Sequence, residues 1–245
     1  MTVETDDERL RHLVRGARLV LWDFDGPICR LFARYAADRV ADEMTRWLAD
    51  RGMAGPLAPD GQRADGAREV PRADDPQEVL RAAHRRHPGS DLVAGLEEVY
   101  TSAELRAVPS AMPTAYADPL IRTWTALGSR LAVVTNNSPH AVRAYLAGRG
   151  LLPCFAPHIY GRTRDPHRLK PDPYTLRRAL DGAGCDASAT LMVGDSPADL
   201  AAATSVGVDF LGYARNDRKE RQLRDAGAPV LVDSLEPVLR ALWAR

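Results

Sequence analysis

Six short, continuous apolar runs punctuate the chain: Arg18–Trp22, Arg130–Val134, His158–Tyr160, Thr190–Val193, Val208–Gly212 and Pro229–Val232. Runs of this length, β-branched-rich and without polar alternation, predict strands buried on both faces. Helical spacing of apolar positions fills most of the intervals: Pro119–Leu127, His140–Arg149, Pro173–Ala183, Pro197–Val206 and Arg218–Ala226. Proline stands near the start of several, where a missing N–H leaves nothing unpaired. Strand alternating with helix predicts an α/β fold with a doubly wound parallel sheet.

From Leu31 to Thr114 that alternation stops. Leu31–Arg51 carries apolar residues at helical spacing and predicts one long helix. Gly52 to Asp75 is rich in Gly, Pro, Asp and Arg without periodicity and predicts a surface loop. Helix starts recur at Asp75–Pro76, an N-cap followed by proline, and at Ser90–Asp91. Residues 31–114 therefore predict an all-helical insert after the first strand. The core is expected to comprise residues 1–30 and 115–245.

Composition narrows the function classes. With 245 residues, 45% of them hydrophobic, the chain can bury a sizeable core. Lys plus Arg and Asp plus Glu are both 33, so the formal charge is zero. That balance gives no footprint for nucleic acid. No apolar run approaches the roughly eighteen residues of a membrane span, and the polar N-terminus is unlike a signal peptide. Cys29, Cys154 and Cys185 are sparse, odd in number and without a C-x-x-C pair, which argues against a disulfide framework or a cysteine zinc site. The expectation is a cytoplasmic protein with buried or half-buried thiols.

Several predicted strands deliver polar residues at their carboxyl ends, where open α/β sheets bind ligands. The first runs out into Asp23-Phe24-Asp25-Gly26-Pro27. Two close carboxylates repel unless a cation or shared proton relieves them, and hard oxygen ligands suit Mg²⁺. An acidic turn at a strand end explains the pentad alone equally well. A calcium loop is rejected, because its sixth and twelfth positions would be Ile28 and Arg34 rather than Gly and Glu. The second strand ends in Thr135-Asn136-Asn137, which could hold phosphate oxygens or simply cap a helix. Lys170 stands before Pro171 at a helix start, where a solvated charge is the ordinary reading. A further strand ends in Gly194-Asp195-Ser196-Pro197-Ala198-Asp199, with two more carboxylates.

In this order, Asp-x-Asp, Thr, Lys and Gly-Asp-x-x-x-Asp, the chain resembles the haloacid dehalogenase (HAD) superfamily from Leu19 to about Val232. The resemblance implies a Rossmann-like core. Asp25 and Thr135 are 110 positions apart, whereas Thr135 and Lys170 are only 35 apart. In that family a helical insert between the first two motifs is the type 1 cap, which residues 31–114 resemble.

The same resemblance implies a Mg²⁺-dependent phosphatase for a small phosphorylated metabolite, acting through an aspartyl-phosphate. Asp23 would be the nucleophile. Asp25 would offer Mg²⁺ its backbone carbonyl and act with its carboxyl as general acid and base. Asp195 would complete the protein ligands with Asp23. Thr135 and the Asn136 N–H would bind phosphate, Lys170 would neutralise Asp23 and phosphate, and Asp199 would orient Lys170 or a metal-bound water. Halide-releasing members lack the second carboxylate and phosphonate-cleaving members replace it, so Asp25 favours phosphate esters. Pro27 departs from the usual Thr or Val and bears on the turn into the cap.

The rivals are a phosphomutase on a sugar phosphate and a non-catalytic phospho-ligand binding or signalling module. A receiver domain is about half this length and has no acid pair after its Lys. His84-Arg85-Arg86-His87 reads as a solvated helix end rather than a substrate or metal contact. Arg30 and Arg34 read as cleft or surface charges, the Arg162–Arg168 run as a solvated loop, and Trp22 as strand core.

Overall fold

The structure, a computed structural model, describes residues 6–53 and 75–243. In chain order it comprises α1 (Asp6–Gly16), β1 (Leu19–Trp22), β2 (Cys29–Arg30), α2 (Ala37–Ala49), α3 (Pro76–Arg86), α4 (Asp91–Ala107) and β3 (Met112–Pro113). There follow α5 (Ala117–Ala126), β4 (Arg130–Val134), α6 (Pro139–Gly148), α7 (Leu152–Phe155), β5 (Ile159–Tyr160) and α8 (Tyr174–Ala183). The last elements are β6 (Thr190–Gly194), α9 (Pro197–Ser205), β7 (Asp209–Tyr213), α10 (Asp217–Asp225), β8 (Leu231–Val232) and α11 (Glu236–Trp243).

All six strands expected from the apolar runs pair in one parallel sheet, ordered β5-β4-β1-β6-β7-β8. Side chains alternate between its faces. Val20 and Trp22 of β1 join Leu131, Val133, Leu191 and Val193 on one face, under α1, α5, α6 and α11. Leu19 and Leu21 join Ala132, Val134, Met192 and Phe210 on the other, under α8, α9 and α10. Covering helices on both faces leave β1 and β6 fully buried, which is why neither alternates in sequence. Trp22 is core, packed edge-on against Trp124 with ring centroids 5.6 Å apart.

The chain runs from β1 outward to β4 and β5, then crosses to β6 on the other side of β1. That reversal opens a crevice at the carboxyl ends of β1, β4 and β6. Helices α2, α3 and α4 share an apolar cluster of their own, including Met44, Leu80 and Leu96. A two-stranded antiparallel ribbon, with Cys29 opposite Pro113 and Arg30 opposite Met112, stands at their base.

Several expectations change. The helix expected over Leu31–Arg51 is confined to Ala37–Ala49. Its first turns are lost because Arg30 is drawn into the ribbon and the Leu31 N–H is drawn to Asp25 Oδ1, 2.9 Å away. The described part of 31–114 also contains β3, so it is not helical throughout. Of the loop expected over Gly52–Asp75, residues 54–74 lie outside the described residues. Asp75 does cap α3, accepting the Gln77 N–H at 2.9 Å, whereas the Ser90 side chain makes no cap bond. Helices α1 and α11 were not anticipated; they pack together, with Arg15 Nε donating to the Ala241 carbonyl at 3.0 Å.

Candidate active site

The turn after β1 is built on glycine. Gly26 has φ +136°, and a Cβ there would lie 2.5 Å from Asp195 Cγ. Only a residue without a side chain lets the backbone after Asp25 pass this close to the end of β6. The Thr114 hydroxyl donates to the Gly26 carbonyl at 2.5 Å, and the Gly26 N–H donates to the Cys29 carbonyl. Pro27, which has no N–H to give, takes no part in these bonds.

Lys170 is the electrostatic centre of the site. Its side chain is 3% exposed and its ammonium donates to Asp23 Oδ1 at 2.8 Å, Asp199 Oδ1 at 2.5 Å and the Val134 carbonyl at 3.0 Å. All three ammonium donors are thereby used. The two carboxylates hold its pKa above the ordinary lysine value, against the effect of burial. The solvated-charge reading of this lysine is wrong, because the fold carries it into the crevice. Asn136 fixes its main chain, accepting the Lys170 N–H at 2.7 Å and donating to the Lys170 carbonyl at 3.2 Å.

Asp199 is consumed by structure. Ser196 and Asp199 form a capping box at the start of α9. Asp199 Oδ2 accepts from the N–H groups of Asp195 and Ser196 and from the Ser196 hydroxyl, while Oδ1 holds Lys170. It orients Lys170 and has little left to offer a metal.

Asp23, Asp25 and Asp195 are each pushed up to about 6, chiefly by burial. Oxygens of Asp23, Asp195 and Asp199 lie within 4.8 Å of one another. Of the four carboxylates here, Asp23 and Asp199 meet the Lys170 ammonium and Asp195 meets that of Lys219, 2.9 Å from Oδ2, while Asp25 meets neither. The excess of two negative charges, with hard oxygen donors on Asp23 and Asp195 still open to a cavity, fits a divalent cation.

That cavity, of about 450 Å³, is lined by Asp23, Asp25, Thr135, Asn136, Lys170, Asp195 and Asp199 from the core. Gln77, Arg81 and Tyr100 line it from α3 and α4. Every residue singled out from the four motifs thus reaches one space. The sequence did not single out Gln77, Arg81 or Lys219. Gln77 Oε1 accepts from Asn136 Nδ2 at 2.9 Å, and Arg81 Nη2 donates to the Lys170 carbonyl at 3.1 Å.

The clearest correction concerns Arg162, expected in a solvated loop. Its side chain is fully buried and pairs with Glu104 of α4, Nη2 to Oε2 at 2.8 Å. A strand end delivers it, since β5 closes two residues earlier; this is the same signal that marked the other site residues. Arg168, in the same run, is exposed as expected. The His84–His87 stretch is the end of α3, with Arg85 and Arg86 exposed as expected; His84 departs, half-buried with its ring meeting that of His167 at a centroid distance of 4.8 Å. Arg30 and Arg34 are exposed and do not line the cavity. Cys29 is buried, and Cys154 and Cys185 are half-buried free thiols. No helix among the described residues is long and apolar enough to cross a membrane.

Comparison with known proteins agrees with this geometry. The haloacid dehalogenase-like hydrolase family pattern matches residues 17–207. A phosphoglycolate phosphatase of Rhodospirillum rubrum is 35% identical over 161 residues, 62% of this chain and 60% of that protein. A plasmid-encoded phosphoglycolate phosphatase of Cupriavidus necator is 32% identical over 224 residues, 89% of each chain. Among solved structures, CbbY of Rhodobacter sphaeroides in complex with phosphate has a TM-score of 0.66 at 20% identity, covering 93% of this chain and 100% of that one. At that identity the likeness speaks for the fold. The parallel sheet, its crevice and the acid–lysine cluster define a capped α/β hydrolase. The chain belongs to the haloacid dehalogenase-like hydrolases, and within them to the phosphoric monoester hydrolases.

Proposed function

We propose that the protein is a Mg²⁺-dependent phosphatase that hydrolyses a small phosphate monoester through an aspartyl-phosphate on Asp23. The observation that carries this reading is the Lys170 ammonium bridging Asp23 and Asp199 at the floor of a cavity also open to Asp25, Thr135 and Asp195. Asp23 is the nucleophile, because its carboxylate lies at the strand end and is held by one fixed cation. Asp25 is held from the opposite side by the Leu31 N–H and has a pKa near 6, suited to giving a proton to the leaving alcohol and then taking one from water. The Thr135 hydroxyl and Asn136 N–H receive phosphoryl oxygens. Lys170 offsets charge on Asp23 and on the phosphoryl group.

Asp23, Asp195 and the Asp25 main-chain carbonyl would hold the metal, with Asp199 behind them as positioner. Bound there, Mg²⁺ would supply positive charge to the phosphoryl oxygens.

Residues 31–114 act in this reading as a cap on a core of residues 1–30 and 115–245. The separate apolar cluster of α2, α3 and α4 supports that division. A cavity of about 450 Å³ lined on one side by residues of α3 and α4 suits a metabolite rather than a macromolecule. Phosphoglycolate, named in the two relatives, is the first substrate to test. A cytoplasmic setting accords with the three free cysteines.

The test is phosphate release from a panel of phosphorylated metabolites with Mg²⁺, with and without chelator. Chelation should abolish release. Isomerised sugar phosphate in place of free phosphate would identify a phosphomutase and overturn the reading.

A further inference from the structure

The Glu104–Arg162 pair lies outside the cluster that performs the chemistry, yet its hydrogen bonds converge on the loop that would receive phosphate. Glu104 is 0% exposed and Arg162 4% exposed. Glu104 Oε1 accepts from Asn137 Nδ2 at 2.8 Å and Arg162 Nη1 at 3.0 Å. Its Oε2 accepts from the Ser138 N–H at 3.0 Å and Arg162 Nη2 at 2.8 Å. One cap carboxylate therefore makes four bonds, two of them to residues 137 and 138.

Arg162 closes the circuit. Nη1 also donates to the Asn136 carbonyl at 3.0 Å, and the Arg162 main-chain N–H donates to the Asn137 carbonyl at 2.9 Å. Thr101 Oγ1 and Glu97 Oε1 of α4 accept its remaining donors at 3.1 and 3.2 Å, and Tyr100 stacks 3.9 Å beneath the guanidinium.

The effect reaches Thr135 in two steps. An ionised carboxylate can only accept, so Glu104 forces the Asn137 amide to turn its NH₂ towards the cap. Asn137 Oδ1 then faces Thr135 and accepts its hydroxyl at 3.0 Å; the Asn137 N–H donates to Thr135 Oγ1 at 3.1 Å and keeps that oxygen in place when its single proton turns to a phosphoryl oxygen. The position of the Thr135 oxygen is thus set from α4. A buried ion pair is a poor way to gain stability, because desolvation offsets the attraction and apolar residues of similar volume often do as well. What apolar residues would not supply is the directed set of bonds to Asn136, Asn137 and Ser138.

We propose that Glu104 and Arg162 are positioning residues for hydrolysis: they hold the 135–138 loop in the geometry that receives the phosphoryl group and make that geometry depend on the seating of α4. This rests on the phosphatase reading above.

The experiment compares Glu104→Gln and Arg162→Lys with the wild-type protein. Three quantities are read: affinity for inorganic phosphate by calorimetry in the presence of Mg²⁺, KM and kcat for the best phosphate ester, and Mg²⁺ affinity. Both variants should lose about tenfold in phosphate affinity and gain about tenfold in KM, with Mg²⁺ affinity within twofold of wild type. Folded variants that keep wild-type phosphate affinity overturn the proposal, as does a loss of Mg²⁺ affinity equal to the loss for phosphate. If either single variant fails to fold, the Glu104→Leu, Arg162→Met double variant removes both charges together and should fold. It should show the same tenfold loss, and wild-type phosphate binding in it overturns the proposal. Phosphate binding needs no turnover, so a wild-type protein that binds phosphate but hydrolyses no ester defeats the phosphatase reading while the positioning comparison still stands. Absence of phosphate binding to wild type overturns both.

Discussion

Lys219 reaches Asp195 from the first turn of α10, its Nζ 2.9 Å from Oδ2. Asn216 caps that helix through the Lys219 N–H at 3.0 Å, so the lysine is anchored where it can reach the end of β6. A cation entering beside Asp195 must share that carboxylate with the ammonium. Replacing Lys219 with Met removes the competing charge and should tighten Mg²⁺ binding by about tenfold, the scale of one close charge pair under near-water screening. Calorimetric titration reads this directly, and weaker binding in the variant would contradict it.

Asp23→Asn and Asp25→Asn should each lower phosphate release by about a thousandfold or more, since one removes the nucleophile and the other the proton relay. Near-ultraviolet circular dichroism should remain that of wild type. Turnover surviving in Asp23→Asn would exclude the covalent route.

Lys170→Met should be the most destabilising single change at the site. It leaves Asp23 and Asp199 buried and facing each other without their shared partner, a loss of about 3 kcal/mol for a broken buried pair. Urea unfolding would measure it. A midpoint equal to wild type would mean that the carboxylates are relieved by some other route.

The raised pKa of Asp195 fixes the sign of a pH effect. Between its ordinary value of 3.8 and about 6 the folded protein binds more protons than the unfolded chain. Its stability cost is therefore full above pH 6 and is relieved as pH falls towards 4. Metal-free wild type should gain stability relative to Asp195→Asn between pH 7 and pH 5, by about 1 kcal/mol. Mg²⁺ should erase the gain by favouring the ionised carboxylate. Parallel melting curves for the two proteins across this range would reject the assignment.

The sheet was legible because buried parallel strands leave continuous apolar runs, and β1, β4 and β6 end in the residues that line the cavity. Arg162 was not, because the partner that defines it, Glu104, lies 58 residues earlier and meets it only once α4 is seated. Lys219 was hidden for another reason. It sits in the most polar helix of the core, where one lysine among Asp217–Asp225 carries no mark of its aim. Helix α2 was overextended because apolar spacing continues through Phe32 and Tyr35, which pack against the cores without being helical. Periodicity records which residues are covered, and tertiary bonds such as Leu31 to Asp25 decide where a helix begins.

The ribbon has a consequence for how such a protein can change. Arg30 and Met112 are register partners, so the chain leaves the sheet domain and returns to it at a single point. The intervening residues are a closed excursion, and altering their length or sequence need not disturb a single rung of the six-stranded ladder. On the phosphatase reading, selectivity and chemistry can thus be inherited separately, one in the excursion and the other in the strand ends. The exceptions are the bonds from Gln77, Arg81 and Glu104 to the core, which a transplanted excursion would have to bring with it.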